Sequence, residues 1–170
     1  MKNKIFLIYS WLVRSTLYFL PDVPFIMRFR GWLYGFGMNK CGNNFQVTHN
    51  SIVKNLQNIS IGSDVYIANF SIVMGSGKIL IEDEVLIGPS VSIISGNHTA
   101  IDGSYRFGMS SPGVIKLAKG AWIASNCTVG KNSSLPSGSV LSANSFLNKE
   151  FSTINSIYGG VPAKFIKQNN

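Results

Sequence analysis

The chain has 170 residues, 45% of them hydrophobic and 13% charged, a balance that excludes disorder and supplies one core of domain size. Its two cysteines, Cys41 and Cys127, lie far apart and form no CxxC pair, which argues against a disulfide framework or a zinc site and fits a reducing compartment. The net charge of +8 favours anionic partners such as phosphorylated cofactors, nucleotide sugars or a membrane surface; with no basic run and no nucleic-acid-binding motif, nucleic acid is not among them.

Residues 1–40 read as a hydrophobic and basic helical segment. They carry Lys2, Lys4, Arg14, Arg28, Arg30 and Lys40 against Asp22 alone. The stretch 5–20, IFLIYSWLVRSTLYFL, is short for a membrane-crossing helix and Arg14 interrupts it. It has no small-residue cleavage site. Two readings stay open: a helix packed on the body, or one lying on a membrane surface.

From residue 41 onward the sequence repeats. Every sixth position from Leu117 is aliphatic: Leu117, Ile123, Val129, Leu135, Leu141, Leu147. Ile61, Ile67, Val73 and Ile79 form an earlier series, and Ile81, Ile87 and Ile93 a third, offset by two residues. Four residues after many of these anchors comes a small or β-branched side chain: Val65, Ser71, Val85, Val91, Ala121, Cys127, Ser133, Ser139 and Ser145. A six-residue period is neither helical nor a simple strand alternation. Each hexad predicts a short strand and a turn, and three hexads predict a triangular coil of about eighteen residues with the aliphatics inside. The expected fold is all-β, a parallel β-helix over 41–170, with an N-terminal helical segment and a short C-terminal tail or helix. Residues 59–98 and 115–149 each supply about two coils, and 41–58 an irregular first one. Cys127, at a small inward position, reads as core rather than as a reactive thiol.

One segment breaks the period: 96–112, GNHTAIDGSYRFGMSSP. Loops that leave a rigid scaffold are where function concentrates. This one opens on Asn97-His98. Histidine suits the removal of a proton from a weak hydroxyl nucleophile, because its free pKa lies near 6.5. Without a GxSxG pattern no serine reads as a nucleophile, so direct transfer is expected over an acyl-enzyme. No His/Asp/Glu cluster has metal-ligand spacing. The other histidine, His49, lies in VTHNSIV, matches no motif and reads as surface or packing.

The run VLIGPSVSIISGNHTAIDG, followed by GAWIASNCTVG, SVLSANSFLNK and YGGVPAKFIK, resembles the hexapeptide-repeat acyltransferases, over about residues 59–167. Within them it is most similar to the branch of maltose, galactoside and polysaccharide O-acetyltransferases. The resemblance implies a left-handed β-helix, a homotrimer with sites between subunits, and acetyl-CoA as co-substrate. It implies His98 as the catalytic base. For the cofactor it implies Trp122, Ser125 (through a backbone N–H near it), Ser142, Ala143, Asn148, Lys149, Lys164 and Lys167. Trp122 otherwise reads as buried at a corner, and Lys164 and Lys167 as solvated charges where relatives carry arginines. Asn69 matches an asparagine facing acceptor and cofactor across the subunit boundary, though asparagine also suits turns. Asp102, Tyr105, Arg106 and Phe107 lie in the loop after His98 and have the chemistry of sugar contacts. What orients His98, a backbone carbonyl or a carboxylate such as Asp102, stays open.

Residues 1–40 do not resemble the corresponding region of the maltose and galactoside enzymes. A hydrophobic, basic leader is more like enzymes that modify cell-surface polysaccharide, so the expected acceptor is a saccharide of O-antigen or capsule synthesis. The expected location is the cytoplasm, with peripheral contact at the inner face of the plasma membrane. The alternatives are N-acetylation of a nucleotide-linked amino sugar and a non-catalytic β-helix scaffold.

Overall fold

A computed structural model describes residues 2–169. Two helices come first, α1 (Lys2–Thr16) and α2 (Pro24–Gly35), and short strands make up the rest. The strands stack into three parallel sheets that form the faces of a triangular prism, here A, B and C in chain order. The first coil runs through Lys40–Cys41 on face A, Gln46–Val47 on face B and Ile52–Lys54 on face C. Each later coil repeats that order, giving the left-handed β-helix that the hexads predict.

The inward aliphatics are fully buried, as are the small residues at the edges, including Cys127. Burial pushes the Cys127 thiol pKa up, which suits a core role. Coil length departs from the expected eighteen residues. Ile59 pairs with Ile79 and Gln46 with Tyr66, a step of twenty, whereas Ile115 pairs with Ser133, a step of eighteen. The two extra residues lie at the edge from face C to face A: Val53 to Ile59 and Val73 to Ile79 are six positions apart, whereas the equivalent Val129 and Ser133 are four apart. This extra pair is the source of the two-residue offset between the sequence series.

Two expectations are corrected. Residues 41–58 are not irregular: they form a full coil in register with the next, through Lys40↔Ser60, Gln46↔Tyr66 and Ile52↔Ile72. The C-terminus, expected as a short tail or helix, is a strand: Lys164–Gln168 returns antiparallel against Ser156–Gly159 at the end of face B. An exposed sheet end leaves unpaired backbone groups, and a returning strand satisfies them where a helix would not.

The helices cover the opposite end. Pro24 starts α2, where its missing N–H is not needed. Met27, Arg30, Gly31 and Tyr34 lie on one buried stripe of α2, at helical spacing. At Gly31 a side chain would collide with the Phe45 carbonyl, so the helix lies flush against the first coil. α1 packs on Ile52–Lys54 and the turn Leu56–Asn58, with Val13 in the core. The outer sides of both helices stay apolar: Ile5, Ile8 and Trp11 on α1, Phe25, Phe29 and Trp32 on α2, and Phe36 just after it, are exposed. Among the described residues no helix is long and apolar enough to cross a membrane.

Candidate active site

The edge between faces B and C is built from equivalent four-residue turns. The second residue of each turn forms a column: His49, Asn69, Pro89, Ser125 and Ala143. Successive coils lie about 4.8 Å apart. Backbone bonds fix the stacking, from Ser90 N to Asn69 O (2.9 Å), Asn126 N to Pro89 O (3.0 Å) and Asn144 N to Ser125 O (3.1 Å). The third turn residue takes positive φ in Phe70, Ser90, Asn126 and Asn144, which re-aims the chain onto face C.

Among the described residues the N–H groups of Ser125 and Ala143 donate to nothing, and Pro89 has none to donate. The upper column therefore offers two backbone donors beside small side chains. A pantetheine arm ending in a thioester fits such a strip, since its amide and thioester carbonyls accept hydrogen bonds and no large side chain blocks it. Ser142 adjoins Gly159, which pairs with Lys164, so the exposed Lys164 lies at the end of the strip; Lys167, also exposed, pairs with Ile157 and lies further back on face B. Trp122 is not buried at a corner but stands on the outer side of face B, 45% exposed.

His98 lies elsewhere in the chain. The loop 96–112 leaves at the edge between faces C and A as a hairpin, Gly96–His98 against Ser110–Pro112, with His98 opposite Ser110. His98 is exposed, and among the described residues no side chain bonds its ring. Asp102 sits at φ 49° in a tight turn closed by Ile101 and Ser104 and does not orient the histidine. Tyr105, Arg106 and Phe107 are exposed on the same hairpin, with the Arg106 guanidinium 5.8 Å from the Phe107 ring centre. Asn148 and Lys149 are on the C–A edge too, the Lys149 ammonium 5.2 Å from the Phe151 ring centre. Face C, about six residues across, separates His98's edge from the column by roughly 15–20 Å. One chain thus brings Asn69, Ser125, Ser142 and Ala143 to one edge, and His98, Asn148 and Lys149 to another.

At the base of the column lies a polar cluster that sequence reasoning missed. Asp22, between the helices, accepts four hydrogen bonds. Its Oδ1 takes Arg30 Nη1 (3.1 Å) and His49 N (2.8 Å), and its Oδ2 takes His49 Nδ1 (2.7 Å) and Asn69 Nδ2 (3.2 Å). Arg30 is 1% exposed and also donates to the carbonyls of Val47, Leu17 and Leu20. Burial pushes the Asp22 carboxyl pKa up, but hydrogen bonds from the His49 ring and backbone and from Asn69 outweigh it and hold it below the ordinary value. His49, expected as surface or packing, is held by Asp22 through both its backbone N–H and its ring. Asp22 lies 27 residues before His49 and 47 before Asn69, so no local spacing could reveal the cluster. The one usable signal was that Asp22 is the sole acid in a basic segment.

A cleft of about 760 Å³ lies between α2 and the first coil, lined by Trp32, Phe36, Asn39, Cys41 and Asn44. It holds neither His98 nor the column. In one chain the column is an open edge, not a cavity. Among the described residues no three His, Cys, Asp or Glu side chains gather as metal ligands.

No protein-family model matches the chain, and no curated protein sequence matches it significantly. Solved structures do share the fold. A hexapeptide-repeat acetyltransferase from Vibrio cholerae O1 biovar eltor, solved with acetyl coenzyme A, superposes with TM-score 0.84 at 19% identity, over 98% of this chain and 88% of its own. A maltose O-acetyltransferase from Clostridium difficile 630 gives 0.84 and 19%, over 99% and 88%. A galactoside acetyltransferase in complex with coenzyme A gives 0.78 and 20%, over 99% and 82%.

Proposed function

We propose that this chain is an acetyl-CoA-dependent O-acetyltransferase that moves the acetyl group onto a saccharide hydroxyl, with His98 as general base. One observation carries the reading. The B–C edge offers small residues and open amides in line, while His98 leaves the third coil, whose own column residue, Pro89, lies between Asn69 and Ser125. In a cyclic trimer with its axis along the prism, coils of neighbouring subunits stand level. His98 of one subunit then meets the next subunit's column between an acceptor end at Asn69 and a thioester end at Ser125.

Acetyl-CoA supplies the activated acyl carbon. His98 removes the hydroxyl proton as the sugar oxygen bonds to that carbon. The Ser125 N–H donates to the carbonyl oxygen as it gains negative charge. The carbon–sulfur bond then breaks, and the imidazolium returns its proton to the departing thiolate. Ser142 and Ala143 line the pantetheine arm, Trp122 flanks it, and Asn148, Lys149, Lys164 and Lys167 are the polar and basic groups for the nucleotide end. Lysine serves phosphate as a point charge.

Acetyl-CoA turnover measured against a panel of neutral and amino saccharides tests this. The expected result is thiol release that depends on a saccharide, from a species that light scattering finds trimeric. No turnover with any member, or an active monomer, overturns the reading; transfer to amines alone replaces it with N-acetylation.

The finer reading is surface-polysaccharide synthesis at the inner face of the plasma membrane. The exposed aromatics of α1 and α2 support it, since Trp and Phe beside basic residues suit an anionic lipid interface. α1 also contributes Val13 to the core, so substitution tests this better than deletion. Changing Trp11 and Trp32 to serine is expected to lower co-sedimentation with anionic vesicles at least about tenfold, because an apolar side chain of this size contributes about 1.5–3 kcal/mol when buried. Unchanged sedimentation sinks the membrane reading.

A further inference from the structure

We infer that His49 is a specificity residue for the acceptor, and that Asp22 positions it without touching the acceptor itself. The inference rests on the proposed activity for what the acceptor is, and on geometry for the rest.

A carboxylate has about four acceptor sites. In Asp22 all four are taken, by Arg30, the His49 backbone, the His49 ring and Asn69. It has none left for a sugar hydroxyl. What it does is fix two neighbours. An ionised carboxylate only accepts, so His49 Nδ1 carries the proton and donates it. In the neutral ring Nε2 is then an acceptor, and among the described residues nothing bonds it. Asn69 is oriented in the same way: its Nδ2 donates to Asp22 and to Asn50 Oδ1 (3.2 Å), which leaves its Oδ1 unbonded. Two fixed acceptors thus stand one coil apart, about 5 Å, on the outside of the same edge.

Fixed acceptors of that kind select donors, and a polyhydroxylated ring presents them at such spacing. Aromatic groups flank the pair. Tyr18 sits edge-on to the His49 ring at 5.4 Å, and Phe70, 67% exposed, is anchored beside Asn69 through Asn50. Polar acceptors between aromatic walls suit a saccharide, whose ring faces are apolar and whose rim is hydroxylated. Asn69 lies one coil below the Pro89 level and His49 two, about 10 Å. Asn69 therefore reaches the reacting sugar, and His49 its far hydroxyls or the next unit of the glycan. Arg30, 1% exposed, is the buried support of the arrangement.

The test compares wild type, His49→Asn and His49→Gln in the full-length protein. Asparagine keeps a short donor for Asp22 and removes Nε2; glutamine puts an amide near Nε2. The probes are methyl glycosides of glucose, galactose, mannose and N-acetylglucosamine, with maltose and lactose, read by saturation-transfer NMR. Acceptor KM is measured for any that turn over. The expected result is at least a tenfold loss of saccharide affinity in His49→Asn and partial recovery in His49→Gln. Coenzyme A affinity and melting temperature should hold. Wild-type affinity in His49→Asn, or no saccharide bound by wild type, overturns the inference. So does a loss that accompanies equal losses of coenzyme A binding and melting temperature, which would mark a structural role. Saccharide binding without acetyl transfer would instead sink the proposed activity and leave the sugar site standing.

Discussion

On the proposed mechanism, replacing His98 with alanine is expected to lower kcat for acetyl transfer by about 10²–10⁴-fold, the range for a positioned general base. Coenzyme A binding and melting temperature stay close to wild type. His98 is exposed on a hairpin, outside the core, and a surface change of this kind costs at most about 0.5 kcal/mol. A large loss of rate is therefore chemical and not a loss of fold. Stopped-flow or thiol-release kinetics with a saturating acceptor checks it; more than a tenth of wild-type kcat removes His98 as base. The proposed site also predicts complementation. His98 and Asn69 lie on different edges of one prism, so in a trimer each site takes His98 from one subunit and Asn69 from its neighbour. His98→Ala and Asn69→Ala proteins, each nearly inactive, are refolded together at equal amounts. About a quarter of the sites in random trimers then hold both wild-type groups. Activity that stays at the level of the separate variants excludes a shared site.

Asp22→Ala is the second large effect, this time on stability. It leaves Arg30 buried with its carboxylate gone and frees His49 and Asn69. Breaking one side of a buried ion pair costs 3–5 kcal/mol. Asp22 is itself 21% exposed and Arg30 keeps three carbonyl partners, so about 3 kcal/mol is expected. For a chain of this size that lowers the melting temperature by about 6–12 °C. Adding Arg30→Met to Asp22→Ala should recover part of the loss, because the stranded charge goes with it. A melting temperature unchanged in Asp22→Ala means the network carries no stability.

The pH dependence follows from the sign of the Asp22 shift. Its folded pKa lies below its unfolded one, near 3.9 for a free aspartate, so the folded state binds its proton less readily. The stability it confers is fully present above about pH 4 and is lost as pH falls through the folded value. Thermal melts of wild type and Asp22→Ala should therefore differ most at neutral pH and converge in acid. A gap that widens in acid contradicts the assignment.

The six-residue period determined the scaffold by itself. Each hexad carries its own inward aliphatic and edge residue, so the rule for folding a coil is local and repeats. The break at 96–112 marked His98 on the same grounds, as the place where that rule stops. The order of the column was also implicit: once coils stack, residues at equal positions in successive turns must align, and Asn69, Ser125 and Ala143 do so. Local pattern could not give the length of the early coils, where two extra residues in the turn from face C to face A shift the step from eighteen to twenty. Nor could it give the strand Lys164–Gln168, whose pairing depends on an open sheet end supplied by distant coils. Only the tertiary structure decided two matters that bear on function. It separated His98 from the column, because edge placement depends on how many turns precede each residue. It also joined Asp22, Arg30, His49 and Asn69, because α1 and α2 fold under the first coil and a buried arginine there needs a carboxylate. That contact is long-range, so no period or motif in the sequence records it.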